Sequence, residues 1–146
     1  MEIISSADVN PPAADEQIVM LTVERATLGK RRWRGVARDG REFGFDLDQA
    51  MAHGAVFFRE RGTCYVIEQA PEPVLEIELG RESGRAAVIG WQIGNLHFPV
   101  EVAGEAIRCP DDPAIRQLLR REKIAWRTMV AVFRPISSGG YAHHHH

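Results

Sequence analysis

Val74-Leu75-Glu76-Ile77-Glu78-Leu79 sets Leu75, Ile77 and Leu79 against Glu76 and Glu78, the period-2 pattern of a strand with one buried face. Reading forward, Arg81–Gly94 places Ala86, Ile89, Gly90 and Ile93 at helical spacing, and Gly94-Asn95 supplies a C-terminal stop. His97–Val102 alternates again, which predicts a strand with Phe98, Val100 and Val102 on one face and His97, Pro99 and Glu101 on the other. Gly104-Glu105 then turns the chain into a short strand, Ala106–Cys109. Asp112-Pro113 is a helix start with a mechanism, because the carboxylate caps free amides and proline supplies the φ of the first helical position. Ile115, Leu118 and Leu119 give that helix one apolar face. Trp126–Phe133 is apolar on both sides and is expected to be a central strand. The order β-α-β-β-α-β is the ferredoxin-like arrangement, in which both helices cover one face of the sheet and leave the other open.

Reading backward from Val74, Pro71 and Pro73 mark a domain boundary. Residues 17–73 are rich in strand formers: Ile18–Val23, Trp33–Ala37 and Arg41–Leu47, then Val56–Arg59 and Cys64–Glu68 around Gly62. Asp39-Gly40 between two of these runs predicts a hairpin with a type I′ turn. Residues 1–16 mix serines, prolines and acids without an apolar period and read as a disordered leader. The expected fold class is therefore α+β. An N-terminal all-β domain over 17–73, suited to binding peptides or partners, precedes a C-terminal ferredoxin-like domain over 74–135 and a flexible His-rich tail over 136–146.

The 146 residues are 45% hydrophobic and 26% charged, as in a soluble globular protein. A net charge of −2 gives no global attraction to nucleic acid or to an anionic membrane. No apolar run reaches the ~20 residues that span a bilayer, and the acidic start lacks the features of a signal peptide, so a cytoplasmic protein is expected. Cys64 and Cys109 are far apart and form no C-x-x-C pair, which leaves two reduced thiols. No nucleophile–base motif, P-loop or dinucleotide fingerprint is present, and the chain reads as a non-enzyme with no catalytic residues.

Chemistry concentrates on His97. If Phe98, Val100 and Val102 face the helices, alternation sends His97 to the open side of the sheet. There a neutral imidazole is a ready ligand for Ni, Zn or Cu. One imidazole binds weakly, but a two-fold homodimer would bring two copies together. The plainer reading is a histidine that satisfies a hydrogen bond at a strand start. His143, His144, His145 and His146 follow a Ser137-Ser138-Gly139-Gly140 tether; such a tract has a metal-binding composition and equally matches a purification tag. Cys109 and Asp112 are read as a buried thiol and a helix cap before they are read as ligands, and His53 as a surface residue. Lys30, Arg31, Arg32, Arg34, Arg38 and Arg41 form a basic cluster, read first as a solvated rim and next as a partner surface. Arg41-Glu42-Phe43-Gly44-Phe45 superficially matches an RNA-binding aromatic motif, but in the wrong domain, and a nucleic-acid partner is not expected.

Gly90-Trp91-Gln92-Ile93-Gly94-Asn95-Leu96-His97-Phe98-Pro99-Val100 resembles the Gly-Asn-x-His-x-Pro segment of the UreE family of urease accessory proteins. The similarity extends over residues 17–135, including Glu72–Ile77 and the region of Ile124. It implies a nickel-binding metallochaperone that delivers Ni²⁺ for urease assembly. It also implies a homodimer that holds the metal between two copies of His97, and a β domain like a chaperone's peptide-binding module. The implied partners are the urease apoprotein and accessory proteins including a GTPase. Zn²⁺ and Cu²⁺ suit the same site. Many members end in a His-rich tail, which favours a native origin for His143–His146; these would add metal ligands or raise the local metal concentration through their tether. Some carry further histidines before the second helix, where this chain has Cys109, Pro110, Asp111 and Asp112. Neutral imidazole is the binding form, so affinity should fall as pH drops through the ordinary imidazole range, roughly 6.5.

Overall fold

A computed structural model of the chain describes residues 1–80 and 83–136. The chain divides between Ala70 and Pro71 into two compact units. The first unit contains β1 (Glu2–Ile4), β2 (Gln17–Val23), α1 (Arg25–Leu28), β3 (Arg32–Val36), β4 (Glu42–Asp46), β5 (Val56–Glu60) and β6 (Thr63–Gln69). They form two three-stranded sheets, β1-β4-β3 and β2-β6-β5. The β1–β4 and β2–β6 pairs are parallel and the others antiparallel. Alternation turns Ile4, Trp33, Phe43 and Phe45 of one sheet and Leu21, Phe57, Tyr65 and Ile67 of the other into one core. Trp33 stacks on Phe45 with ring centroids 3.9 Å apart, and Phe43 meets Phe57 edge-on at 4.9 Å.

Two expectations for this unit change. Residues 1–16 are not a structureless leader: Glu2–Ile4 pairs with Phe43–Phe45, and Ile4 enters the core. Three residues are too few to show an alternation, and the strand takes its stability from its neighbour. The Asp39-Gly40 turn is also not type I′. Gly40 N–H donates to Ala37 O at 2.9 Å and Gly40 alone has positive φ (90°), the three-residue turn that ends in a left-handed glycine. The two-residue turn with positive φ at both positions lies instead at Arg61 (50°) and Gly62 (80°), between paired Glu60 and Thr63.

The second unit contains β7 (Glu72–Glu78), α2 (Ser83–Asn95), β8 (Glu101–Ala103), β9 (Ala106–Pro110), α3 (Pro113–Arg121) and β10 (Arg127–Ala131). Its sheet runs β10-β7-β9-β8, antiparallel throughout, which is the ferredoxin-like order. Leu75 and Ile77 of β7 and Ile107 and Cys109 of β9 pack under Ile89 and Ile93 of α2 and Ile115, Leu118 and Leu119 of α3. Asp112 caps α3 as the sequence predicts, its Oδ1 accepting from Ala114 N–H at 2.8 Å, with Pro113 in the first turn.

Trp126–Phe133 is not a central strand. Only Arg127–Ala131 is extended, and it pairs with β7 alone, at the sheet's edge. After it the chain reaches the opposite edge, where Ile136 N–H donates to Val100 O at 2.8 Å. Phe133 and Val74 are fully buried yet lie outside the helix-side cluster. Across the face away from the helices, Glu101, Arg108, Glu76 and Arg127 stand in one row over all four strands. Glu76 is only 4% exposed. Its carboxylate accepts from Arg108 Nε at 2.8 Å and from Arg127, and Arg108 lies 3.9 Å from Glu101. The face without helices therefore carries an ion-paired row across the sheet.

Candidate metal site at the end of the second-unit helix

His97 is not on a strand. Its φ of 65° and the ring of Pro99, which removes a ladder donor, keep residues 97–100 out of the sheet, and β8 begins only at Glu101. His97 instead occupies the left-handed position that terminates α2. Its N–H donates to Gly94 O at 2.9 Å, and Phe98 N–H lies 3.5 Å from Ile93 O, the paired bonds of a Schellman motif. The apolar contact that accompanies such a motif is present, because half-buried Phe98 packs against the cluster containing Ile93. Phe98 and Val100 thus face the helix-side core as expected, whereas Val102, on edge strand β8, is 62% exposed.

The same device ends α3. Lys123 has φ 55°, its N–H donates to Arg120 O at 3.2 Å, and Ile124 N–H donates to Leu119 O at 2.8 Å. Both helices therefore stop on a non-glycine residue in a conformation that favours glycine. The consequence for His97 is a pinned backbone carrying a solvent-exposed side chain at the negative end of a helix dipole, which favours a cation. Next to it α2 exposes a stripe in which two large apolar side chains, Val88 and Trp91, lie between a glycine and an asparagine. Gly84, Val88, Trp91 and Asn95 fall on one face at spacings of four, three and four residues, and Trp91 is 68% exposed.

Among the described residues no group of three or more His, Cys, Asp or Glu side chains is gathered as a chelating set. Cys109 is fully buried, its thiol pushed up to about 12 by burial, and its Sγ lies 3.9 Å from Leu75 O. Asp112 is engaged as a cap. His53 is more than a surface residue: it is half-buried and its Nδ1 accepts the Gln69 N–H at 2.9 Å, which ties the loop before β5 to β6. His143, His144, His145 and His146 lie outside the described residues.

The basic cluster of the first unit is interleaved with acids. Arg32 pairs with Asp46 at 3.1 Å and Arg38 with Glu68 at 2.7 Å, while Arg41 pairs with Glu60 and lies over Phe58 at 4.7 Å. Phe43 and Phe45 are core residues, so the aromatic motif around them offers no platform for stacking bases. Among the described residues no helix is long and apolar enough to cross a membrane.

The signal missed in the sequence is the five-residue separation of Ile93 and Phe98 across a polar junction. That spacing marks a Schellman end and would have placed His97 at the helix terminus rather than on a strand.

Residues 72–146 match the family model described as the C-terminal domain of the UreE urease accessory protein. A urease accessory protein UreE of Beijerinckia indica is 35% identical over 142 residues, covering 92% of this chain and 79% of its own length. One from a Chelativorans species is 31% identical over 134 residues, covering 90% and 84%. The chain therefore belongs to the UreE family of urease accessory proteins, which are not enzymes.

Proposed function

We propose that the chain is a cytoplasmic nickel metallochaperone that carries Ni²⁺ to urease apoprotein during assembly of the urease active site, acting with other accessory proteins including a GTPase. The observation that carries this reading is the exposed side chain of His97 on a backbone pinned at the C-terminal end of α2, in a chain of this family. One imidazole is an incomplete site, and an ion on it keeps exchangeable positions, which suits handover better than a closed set of protein ligands. Zn²⁺ and Cu²⁺ fit the same donor.

The α2 stripe around Trp91 supports a homodimer. Its exposed Val88 and Trp91 share a helix face with Asn95, two residues before His97, so a two-fold contact along it would bring two imidazoles toward one ion without a new sequence element. The bond from Ile136 to Val100 bears on the terminal histidines. It fixes the chain three residues from His97, and the seven residues from there to His143 span at most roughly 25 Å when extended. A tether of that length keeps the tail at high effective concentration around the site.

The test is equilibrium dialysis of Ni²⁺ against the chain ended after Ile136, with and without His97→Ala, alongside sedimentation to follow the dimer. The expected result is stoichiometric uptake that His97→Ala abolishes while the dimer persists. Equal uptake by both would remove His97 from the site.

A further inference from the structure

Residues 8–16 run from one edge of the β2-β6-β5 sheet to the other. Asp8 pairs with Val56 on edge strand β5, its N–H donating to Val56 O at 2.7 Å. Gln17 opens β2 on the opposite edge, its N–H donating to Gly62 O at 2.9 Å. From Val9 to Asp15 every side chain is exposed, so hydrophobic burial does not hold the segment down.

A single side chain collects it. Arg59 of β5 pairs with the Asp8 carboxylate, donates from Nε to Glu16 at 3.0 and 3.2 Å, and donates from Nη2 to the carbonyls of Asn10 at 2.9 Å and Pro11 at 2.6 Å. The planar fork of an arginine suits this role, since it points several donors in fixed directions at once. Arg59 is also the cross-strand partner of Cys64. That thiol is fully buried with Val56 and Val66 in a small cluster flanked by Met20, separate from the Phe43 core. Burial and then the nearby Glu16 charge push the thiol above its ordinary range.

We propose that residues 8–16 are a cover that opens and closes as a unit while the sheet beneath stays folded, with Arg59 as its catch and Cys64 as the group that opening uncovers. A segment with polar fastenings and no buried side chain between its ends belongs to the low-stability end of a structure and opens without the core. Opening does two things together. It frees the outer edge of β5 at Val56, and it brings the apolar patch of Val56, Cys64, Val66 and Met20 to solvent.

The test is N-ethylmaleimide labelling of the full chain, read peptide by peptide by mass spectrometry, with amide exchange at Leu21 and Ile67 as the measure of the paired strands β2 and β6. Arg59→Met should raise the Cys64 labelling rate at least about tenfold and leave exchange at Leu21 and Ile67 unchanged. Because the catch is ionic, added NaCl should also speed Cys64 labelling in the unaltered chain, which covers the case of a variant that folds poorly. The proposal is overturned if Cys64 labels no faster under either change. It is equally overturned if labelling rises only in step with exchange at Leu21 and Ile67, since exposure would then come from unfolding of the whole unit.

Discussion

Replacing His97 with glycine should make the protein more stable and less useful. His97 stands at φ 65°, where an L-residue carries a cost of about 1–2 kcal/mol that glycine avoids. Glycine's greater freedom in the unfolded chain takes back about 0.4–1 kcal/mol, and histidine tolerates this region better than most side chains, so the net gain is about 0.5–1 kcal/mol. Lys123, at φ 55° on the same kind of helix end, is the internal control and should gain a similar amount as glycine. His97→Ala keeps a Cβ and with it the strain, so its stability should stay near that of the unaltered chain. Urea unfolding monitored by circular dichroism reads the difference as a rise in midpoint of roughly 0.3–0.5 M for both glycine variants. Nickel dialysis should then separate them: uptake is lost in His97→Gly and His97→Ala and retained in Lys123→Gly. A His97→Gly protein less stable than its parent by more than about 1 kcal/mol would refute the argument from the left-handed cap. Undiminished nickel uptake in that variant would refute the site.

Glu76 sets an acid limit for the second unit. Hydrogen bonds from Arg108 and then Arg127 hold its carboxyl below the ordinary value of 4.5, so it stabilises the fold above that pH, and the contribution fades as pH falls through the lower folded value. Urea midpoints should therefore drop from about pH 4.5 downward, and Glu76→Gln should flatten that drop while losing roughly 1–2 kcal/mol at pH 7, less than for a wholly buried pair because Arg127 is 65% exposed. Asp112→Ala removes the cap on α3 and should cost about 1 kcal/mol in the same assay, without changing nickel uptake. Cys109→Ala should also leave nickel uptake unchanged, because a fully buried thiol pushed up to about 12 is not a ligand near neutral pH; a loss of uptake would return Cys109 to the site. Trp91→Glu should turn the dimer into monomers by sedimentation and weaken nickel uptake with His97 intact, whereas an unchanged dimer would move the interface away from α2.

The sequence carried the second unit's topology because each element has a strong local pattern. Leu75 and Ile77 alternate, Ile115, Leu118 and Leu119 share a helix face, and Asp112-Pro113 is a start signal that depends on nothing distant. Legibility fails where tertiary partners decide. Glu2–Ile4 is a strand only because Phe43–Phe45 lies beside it, and β10 is an edge although its composition reads as interior. His97 was found as a residue but misplaced as geometry. Phe98, Val100 and Val102 mimic a strand, yet the first two cover a helix end and only the last is in the sheet. The fastening of residues 8–16 by Arg59 had no sequence signal at all, since its partners lie 43 to 51 positions away.

The row of Glu101, Arg108, Glu76 and Arg127 has a use beyond holding strands together. A sheet of four short strands can pair in several alignments, and a slip of one residue in β9 would point Arg108 into the oily interior and set Ile107 across from Glu76. Opposite charges meet at every step in the native alignment, so the row acts as a vernier: a sheet slipped by one residue is penalised because a cation is stranded in hydrocarbon.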